Sequence, residues 1–348
     1  MSEGLQLHVN GWKYGFWQTQ RITRSIEQLA HSFSVTFTDR WESKEEIPIE
    51  AGDAVSISYD DEWITDGWVD EDTSDYSHNE YTLSFTGRSR TCDLVDCAAI
   101  HRGGQWKGQG LLKIAKDLCN PFGIEVTTNA SLGAAFSLFE LNDGESVFQA
   151  ISRAATRRGV LPLTKADGNL IFDRVGRVKI ATKLEFGKNI LRGKRRSDWR
   201  ERFSTYIVKS QTSGTDNLFG SSAAQLKRSS SDEGCTRYRP IIIQADDEDS
   251  GSELQKRADW ERNIRAGRAK WLTYTVQGWA HRDGLWEPNT LVWVTDKIER
   301  IDCELLVVEA TMTKTEDEGS LTTLSLTFPE AFDVQPLPPP RKTTGSLY

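Results

Sequence analysis

Tyr81-Thr82-Leu83-Ser84-Phe85-Thr86 alternates polar and apolar residues with period two, and Thr323-Leu324-Ser325-Leu326-Thr327-Phe328 does the same near the far end of the chain. Such alternation marks a strand with one buried face. Each run is preceded, at nearly matching distances, by two further strand-like runs. Val55-Ser56-Ile57 and then Val69 lead to the first; Leu291-Val292-Trp293-Val294 and then Val307-Val308 lead to the second. Two antiparallel modules of similar plan are therefore expected, bracketing the middle of the chain.

On either side, Leu5 to Val9 and Phe33 to Phe37 also alternate, and Asp60-Asp61-Glu62 suits a hairpin turn. Asp70 to Asn79 is acidic and polar and reads as a loop between strands, while Ser25 to Ala30 reads as a short helix. Several short strands with polar turns predict a barrel or a sandwich. From Thr91 the period changes. Leu111, Ile114, Ala115 and Leu118 have helical spacing between Gly110 and Cys119, and Asn120-Pro121 with Gly123 stops that helix. A second helix is expected from Glu145 to Arg158, with Asp143 as N-cap and Gly159 as the residue after its end. Ala166-Asp167-Gly168-Asn169 then turns a hairpin.

Phe203 to Lys209 reads as a strand, and Ser210 to Gly234 as a Ser- and Gly-rich mobile loop. Arg239 to Ile243 is a short apolar strand, and Ser252 to Lys270 a charged helix carrying Trp260, Ile264 and, just beyond it, Trp271. Strands return at 272–278, 291–295, 304–313 and 321–328. Pro336-Leu337-Pro338-Pro339-Pro340 opens a tail that suits neither helix nor sheet.

Composition sets limits. At 348 residues the chain exceeds the size at which a single core stops growing, about 250–300 residues, and two to three domains are expected. With 43 Lys and Arg against 51 Asp and Glu, the net charge of −8 argues against wrapping nucleic acid. No run of about 18 apolar residues is present for a membrane span, and Met1 to Asn10 lacks the pattern of a secretory signal, so the chain is expected to be made and kept in a cytoplasm. Five cysteines, an odd and small number, point to reduced thiols. Twelve tryptophans are many for this length and hint at subunit contacts.

Chemistry-bearing motifs are scarce. There is no phosphate-binding glycine loop, no Gly-x-Ser-x-Gly elbow and no His-Glu-x-x-His, and the five histidines are scattered. Cys92, Cys97, His101 and Cys119 form the best metal candidate, but only their first spacing nearly fits a zinc site, and core thiols are the plainer reading. Asp60-Asp61-Glu62 and Asp246-Asp247-Glu248-Asp249 could supply carboxylate pairs, though acidic runs are ordinarily solvated loops. Arg192 to Arg202 is basic and includes Trp199; a solvated or interface face fits it better than phosphate binding, because Asp198 and Glu201 interrupt it. No catalytic, cofactor-binding or metal residue is assigned.

A family resemblance rests on motifs kept in order along residues 24–295. They are Arg24-Ser25-Ile26-Glu27, Thr86-Gly87-Arg88, Leu94-Val95-Asp96-Cys97-Ala98-Ala99 and Gly103-Gly104-Gln105-Trp106-Lys107. Ile114 to Cys119, Pro121-Phe122-Gly123, Arg158-Gly159-Val160-Leu161 and Arg202-Phe203-Ser204 with Tyr206 follow. Thr236-Arg237-Tyr238-Arg239-Pro240, Asp283-Gly284-Leu285-Trp286 and Pro288-Asn289 complete the set. In these the chain resembles the baseplate hub proteins of Mu-like contractile-tailed phages. It ends sooner than that pattern, so no role of a longer tail is carried over.

The resemblance implies an α+β, mainly β chain with two tail-tube-like antiparallel β-barrel domains and α+β inserted domains. The expected division is a first barrel at 1–91, an α+β domain at 92–185, and a second barrel from 186–211 and 271–330. A loop, strand and charged helix occupy 212–270, and a proline-rich tail 331–348. The function implied is a non-enzymatic structural hub with no cofactor. It is a homotrimer forming a pseudo-sixfold ring between the hexameric tail tube protein, or a tube-adjacent ring, and the trimeric spike. Other baseplate and wedge proteins adjoin it, DNA passes its lumen without specific binding, and it sits in the virion tail baseplate after assembly in the host cytoplasm. The assembly motifs are Arg24 and Glu27; Gly103, Gly104, Gln105 and Trp106; and Arg237, Tyr238, Arg239 and Pro240. A receptor- or carbohydrate-binding tail protein and the hub of a related contractile injection system stay open as alternatives. A cell-wall hydrolase has no segment left to occupy.

Overall fold

The computed structural model describes residues 5–15, 18–39, 48–60, 62–78, 81–210, 226–244 and 251–332. The proline-rich tail from 333, Asp246 to Asp249, Asp61 and Trp17 lie outside these. The chain opens with β1 (Leu5–Val9), β2 (Trp12–Tyr14), β3 (Thr19–Ser25), β4 (Ser32–Asp39), β5 (Ala54–Tyr59), β6 (Glu62–Tyr76) and β7 (Tyr81–Ser89). Next come α1 (Cys92–Asp96), β8 (Gln105–Gln109), α2 (Leu111–Cys119), β9 (Val126–Thr128), β10 (Phe136–Glu140), α3 (Val147–Thr156), β11 (Leu161–Thr164) and β12 (Leu170–Asp173). Short β13 (Val178–Lys179) and β14 (Leu184–Glu185) lead to β15 (Arg192–Ser197), β16 (Thr205–Ser210), β17 (Leu226–Ser231), β18 (Pro240–Gln244) and α4 (Gly251–Arg268). The chain closes with β19 (Lys270–Gln277), β20 (Ala280–His281), β21 (Gly284–Leu285), β22 (Thr290–Asp296), β23 (Ile301–Thr315) and β24 (Gly319–Thr327).

Two compact units result. The larger comprises Met1–Thr156, Val160–Arg195 and Trp271–Thr327; the smaller comprises Arg157–Gly159, Arg196–Lys270 and Phe328–Tyr348.

In the larger unit one mixed sheet runs in the order β15-β19-β24-β23-β3-β4-β7-β6-β5-β1-β2, with β22 against β23. It contains the same meander twice. β5, β6 and β7 match β22, β23 and β24; β6 and β23 are each 15 residues long, and β7 and β24 each nine. Each long strand carries a bulge at the corresponding place, between Val69 and Glu71 in β6 and between Val307 and Glu309 in β23. A bulge bends its strand and sharpens the twist, so the two meanders curve alike. The modules are stitched by β3, which pairs antiparallel with β23 from Ser25 opposite Glu309 to Gln20 opposite Lys314.

The alternation read in the sequence is the burial pattern. Leu5, Leu7 and Val9, Val55 and Ile57, Val292 and Val294, and Leu324 and Leu326 are buried. Tight strand packing leaves no room at Gly87, where a Cβ would press into the Trp68 carbonyl and the Phe33 ring. The α+β insertion packs Trp106, Leu111, Ile114, Leu118, Phe139, Ile151 and Phe172 into a core of its own. In the smaller unit β16 pairs with β17 antiparallel and with β18 parallel. Val208 there packs on Leu254 and Ala258 of α4.

Four local expectations are corrected. Ser25 to Ala30 is not a helix: the Ile26 amide donates to the Val308 carbonyl at the bulge, 2.9 Å, and the Glu27 amide to Ser25 Oγ, so the sheet takes the backbone groups a helix would need. Asp143 does not cap α3. Ser146 and Gln149 do, each side chain accepting from the other's amide at 3.2 and 2.9 Å, a reciprocal capping box. Asp70 to Tyr76 is not a loop but the outer half of β6, paired to β7 through Tyr76 opposite Tyr81. Leu226 to Ser231, read as part of a mobile loop, is strand β17; Ser230 Oγ donates to Asp259 of α4 at 2.7 Å, so small polar residues satisfy that face. Residues 211–225 of that expected loop lie outside the described residues.

Candidate assembly sites

Arg24 and Glu27 stand where the two modules are joined. Arg24 is on β3, its side chain 6% exposed, and its guanidinium donates to Glu287 Oε1 at 3.2 Å. Thr23 and Thr311 bond across the same seam through their hydroxyls at 3.3 Å. His31 is buried beside it, and burial, aided by the Arg24 charge, holds its pKa well below the ordinary value, so the ring is neutral at pH 7. Burial first, and then the Glu27 carboxylate, raises the pKa of Glu309 at the seam's start. A cleft of about 410 Å³ alongside is lined by Arg21, Thr23, Gln28, Ser32, Phe33, Ser34 and Glu309. The chemistry here is that of a structural joint, with Arg24 paired to Glu287 and His31 buried uncharged.

The second motif serves the inserted domain. Gly103 and Gly104 have φ of 81° and 61°, a left-handed turn that glycine enters without strain. It sets Gln105 at the start of β8 opposite Glu140. Trp106 is 5% exposed, stacks on His101 at 4.2 Å between ring centres and donates from Nε1 to Asp117 at 3.0 Å. It is a core residue.

The third motif lies in the smaller unit. Arg239 donates from Nε to the Arg202 carbonyl at 3.1 Å and from its terminal nitrogen to the Arg200 carbonyl at 2.9 Å, and it covers the Phe203 ring. Pro240 begins β18. Arg237 is exposed, and Tyr238 is 88% exposed. The ten motif residues thus fall on three separate pieces of structure.

No group of three or more metal-ligating side chains forms among the described residues. Burial pushes the Cys92 and Cys119 thiols up to about 12, while Cys97 is exposed. Asp60 sits in the hairpin turn with φ 47°. The basic run divides: Arg192 to Ser197 is the exposed strand β15, whereas Arg202 forms an ion pair with Asp232 at 2.6 Å and stacks over Trp199. Of the tryptophans, Trp279 and Trp286 are buried and Trp12 and Trp63 exposed.

The sequence reading missed a pair of strand edges. Beyond the bulge, Glu71 to Tyr76 of β6 has β7 on one side and, among the described residues, no strand on the other. β15 has β19 on one side and, among the described residues, no strand on the other. The signal was available in the opposite charge of the two segments, Glu71-Asp72-Thr73-Ser74-Asp75 and Arg192-Gly193-Lys194-Arg195.

Three family models match. Residues 4–89 match the N-terminal domain of Mu phage baseplate assembly protein GpP-like proteins, 91–174 the second domain of baseplate hub protein gp44-like proteins, and 250–335 the fourth domain of Mu phage baseplate assembly protein GpP. Baseplate hub protein gp44 of Escherichia phage Mu is 33% identical, over 95% of this chain and 89% of that protein. The crystal structure of the 43 kDa tail protein of prophage MuSo2 from Shewanella oneidensis superposes with a TM-score of 0.86 at 32% identity, over 95% of this chain and all of that one. A tail protein from Neisseria meningitidis gives 0.77 at 25% identity, over 94% and 98% of the two chains.

Proposed function

Because this chain belongs to the family of baseplate hub proteins of Mu-like phages, structural proteins of the virion tail, we propose that it acts as a homotrimer whose six β modules form a pseudo-sixfold ring. One face of the ring receives the hexameric tail tube protein or a tube-adjacent ring. The other presents true threefold symmetry to the trimeric spike, and further baseplate and wedge proteins surround it. The observation that carries this reading is the repeated meander, with matching strand lengths and matching bulges. A ring contact with a sixfold partner needs six equivalent patches, and a module repeated in each of three subunits supplies them.

The domain division follows the same logic. Residues 1–91, and 186–211 with 271–330, act as the two ring modules. Partner contacts are assigned to the Ser210–Gly234 segment and the proline-rich tail, with Arg237 and Tyr238 as contact residues of their motif. The role is mechanical: the hub holds the spike during assembly and moves with it or releases it when the tail contracts. The net charge of −8 suits a lumen that DNA crosses without being held.

Light scattering of the purified protein over a concentration series tests the reading. The expected species is three copies of a 39.3 kDa chain. A monomer at all concentrations, persisting with tube and spike proteins added, overturns it.

A further inference from the structure

The larger unit contains a worked example of how one β module docks on the next, and one further site of the same shape is left unfilled among the described residues. Within the chain, β3 fills the open edge of β23 beyond its bulge. The counterpart of β23 is β6, and the counterpart of β3 is β15. The second equivalence is read from hydrogen bonds. The Leu191 amide donates to the Thr275 carbonyl of β19 at 2.9 Å, as the Gln18 amide donates to the Thr36 carbonyl of β4 at 2.9 Å. Thr275 then stands opposite Thr323, as Thr36 stands opposite Ser84. Lys194 therefore corresponds to Arg21, and Arg195 to Ile22.

Resting on the trimeric ring reading above, we propose that β15 of one copy adds to the open edge of β6 in the next copy, antiparallel and in the register of the internal seam. Arg21 stands opposite Thr313 and Ile22 opposite Met312 within the chain. Counted from the two bulges, Thr313 and Met312 correspond to Asp75 and Ser74. Lys194 is thus placed opposite Asp75, and Arg195 opposite Ser74 with Asp72 on the diagonal of the same face. Arg192, on the face of Lys194, is diagonal to Asp75.

Charge makes the commitment to a second copy. All of β15 is exposed, and Arg192, Lys194 and Arg195 line it within the larger unit. The outer half of β6 is also exposed and carries Glu71, Asp72 and Asp75. In the isolated chain Arg195 lies 2.8 Å from Glu299, Arg192 lies 3.9 Å from Glu318, and Asp72 accepts from the Ala51 amide at 3.1 Å. Unpaired strand edges invite pairing with another chain, and like-charged edges repel their own kind. Here the two open edges differ in sign, so each rejects itself and attracts the other. That is a head-to-tail contact, which closes into a ring when the rotation permits. The internal seam is tethered by the chain and buries Ile22 and Met312; the seam between copies has to be found by diffusion, and opposite charges steer it.

Paired cysteines test the register. Lys194→Cys with Asp75→Cys, and separately Arg195→Cys with Ser74→Cys, are made in a Cys97→Ser chain and oxidised. Neighbouring ladder positions alternate between wide and close pairs, so at least one double variant should form covalent trimers that single-cysteine variants do not. Charge reversal gives a second arm. Lys194→Glu with Arg195→Glu, and Asp72→Lys with Asp75→Lys, should each raise the concentration needed for trimers roughly tenfold or more, and combining all four should restore it. A trimer that forms no such crosslink and is indifferent to both reversals overturns this inference while leaving the trimer standing. A chain that stays monomeric with its partners overturns both.

Discussion

Replacing Arg24 by methionine and by alanine separates the two things that residue does at the seam. Its side chain is 6% exposed and its partner Glu287 is 50% exposed. An ion pair with one partner half in water contributes about 0.5–1 kcal/mol. Against this, Arg24 Nε is buried without a hydrogen-bond partner among the described residues, which opposes burial by a similar amount. The guanidinium is then close to neutral in stability, and methionine, which keeps an apolar stem, should unfold within about 1 kcal/mol of the parent. Alanine also loses two buried methylenes at about 0.8 kcal/mol each, so it should fall by roughly 1.5–2 kcal/mol, or about 3–7 °C in its transition. Differential scanning calorimetry of the three proteins in one buffer decides. If methionine is as damaging as alanine, the charge holds the seam; if alanine is as mild as methionine, the side chain does not. Either result refutes the reasoning.

Tyr274, fully buried, donates its hydroxyl to Asp296 at 2.8 Å, and Tyr274→Phe should cost about 1.5–3 kcal/mol in chemical denaturation, because the carboxylate loses a buried donor. His31 has a folded pKa below its unfolded value, so its contribution to stability is present above about pH 6.5 and is lost as pH falls below that; His31→Gln should flatten the acid side of a stability–pH curve. Gly87→Ala should destabilise by more than about 3 kcal/mol or prevent folding, read from soluble yield and melting. In native alkylation followed by mass spectrometry, Cys97 should react first, and Cys92 and Cys119 only on unfolding, since burial keeps those two thiols protonated.

The strands and helices with a buried face were legible because burial imposes a period. The run from Tyr81 to Thr86 and the spacing of Leu111, Ile114 and Leu118 became β7 and α2 without revision. What escaped was structure held by something other than its own apolar face. The outer half of β6 is strand because β7 pairs with it, and its acidic residues face away from the core, so composition alone reads as a loop. β17 is serine-rich for the same reason, its polar groups bonding to α4. Ser146 rather than Asp143 caps α3 because Gln149 completes the reciprocal pair, a signature present in the sequence and passed over. Among the site motifs, the sequence could not separate residues that hold a domain together, such as Trp106 and Arg239, from those that face outward, such as Tyr238. All of them stand in motifs kept in order along the chain; only burial tells them apart.

The central claim is that one chain supplies two equivalent modules to a threefold assembly. Electron microscopy of the purified trimer viewed down its axis tests this most directly. The account predicts six similar lobes around a central channel, alternating in fine detail and repeating every third of a turn. Three lobes alone, or six identical ones contributed by six chains, would contradict it.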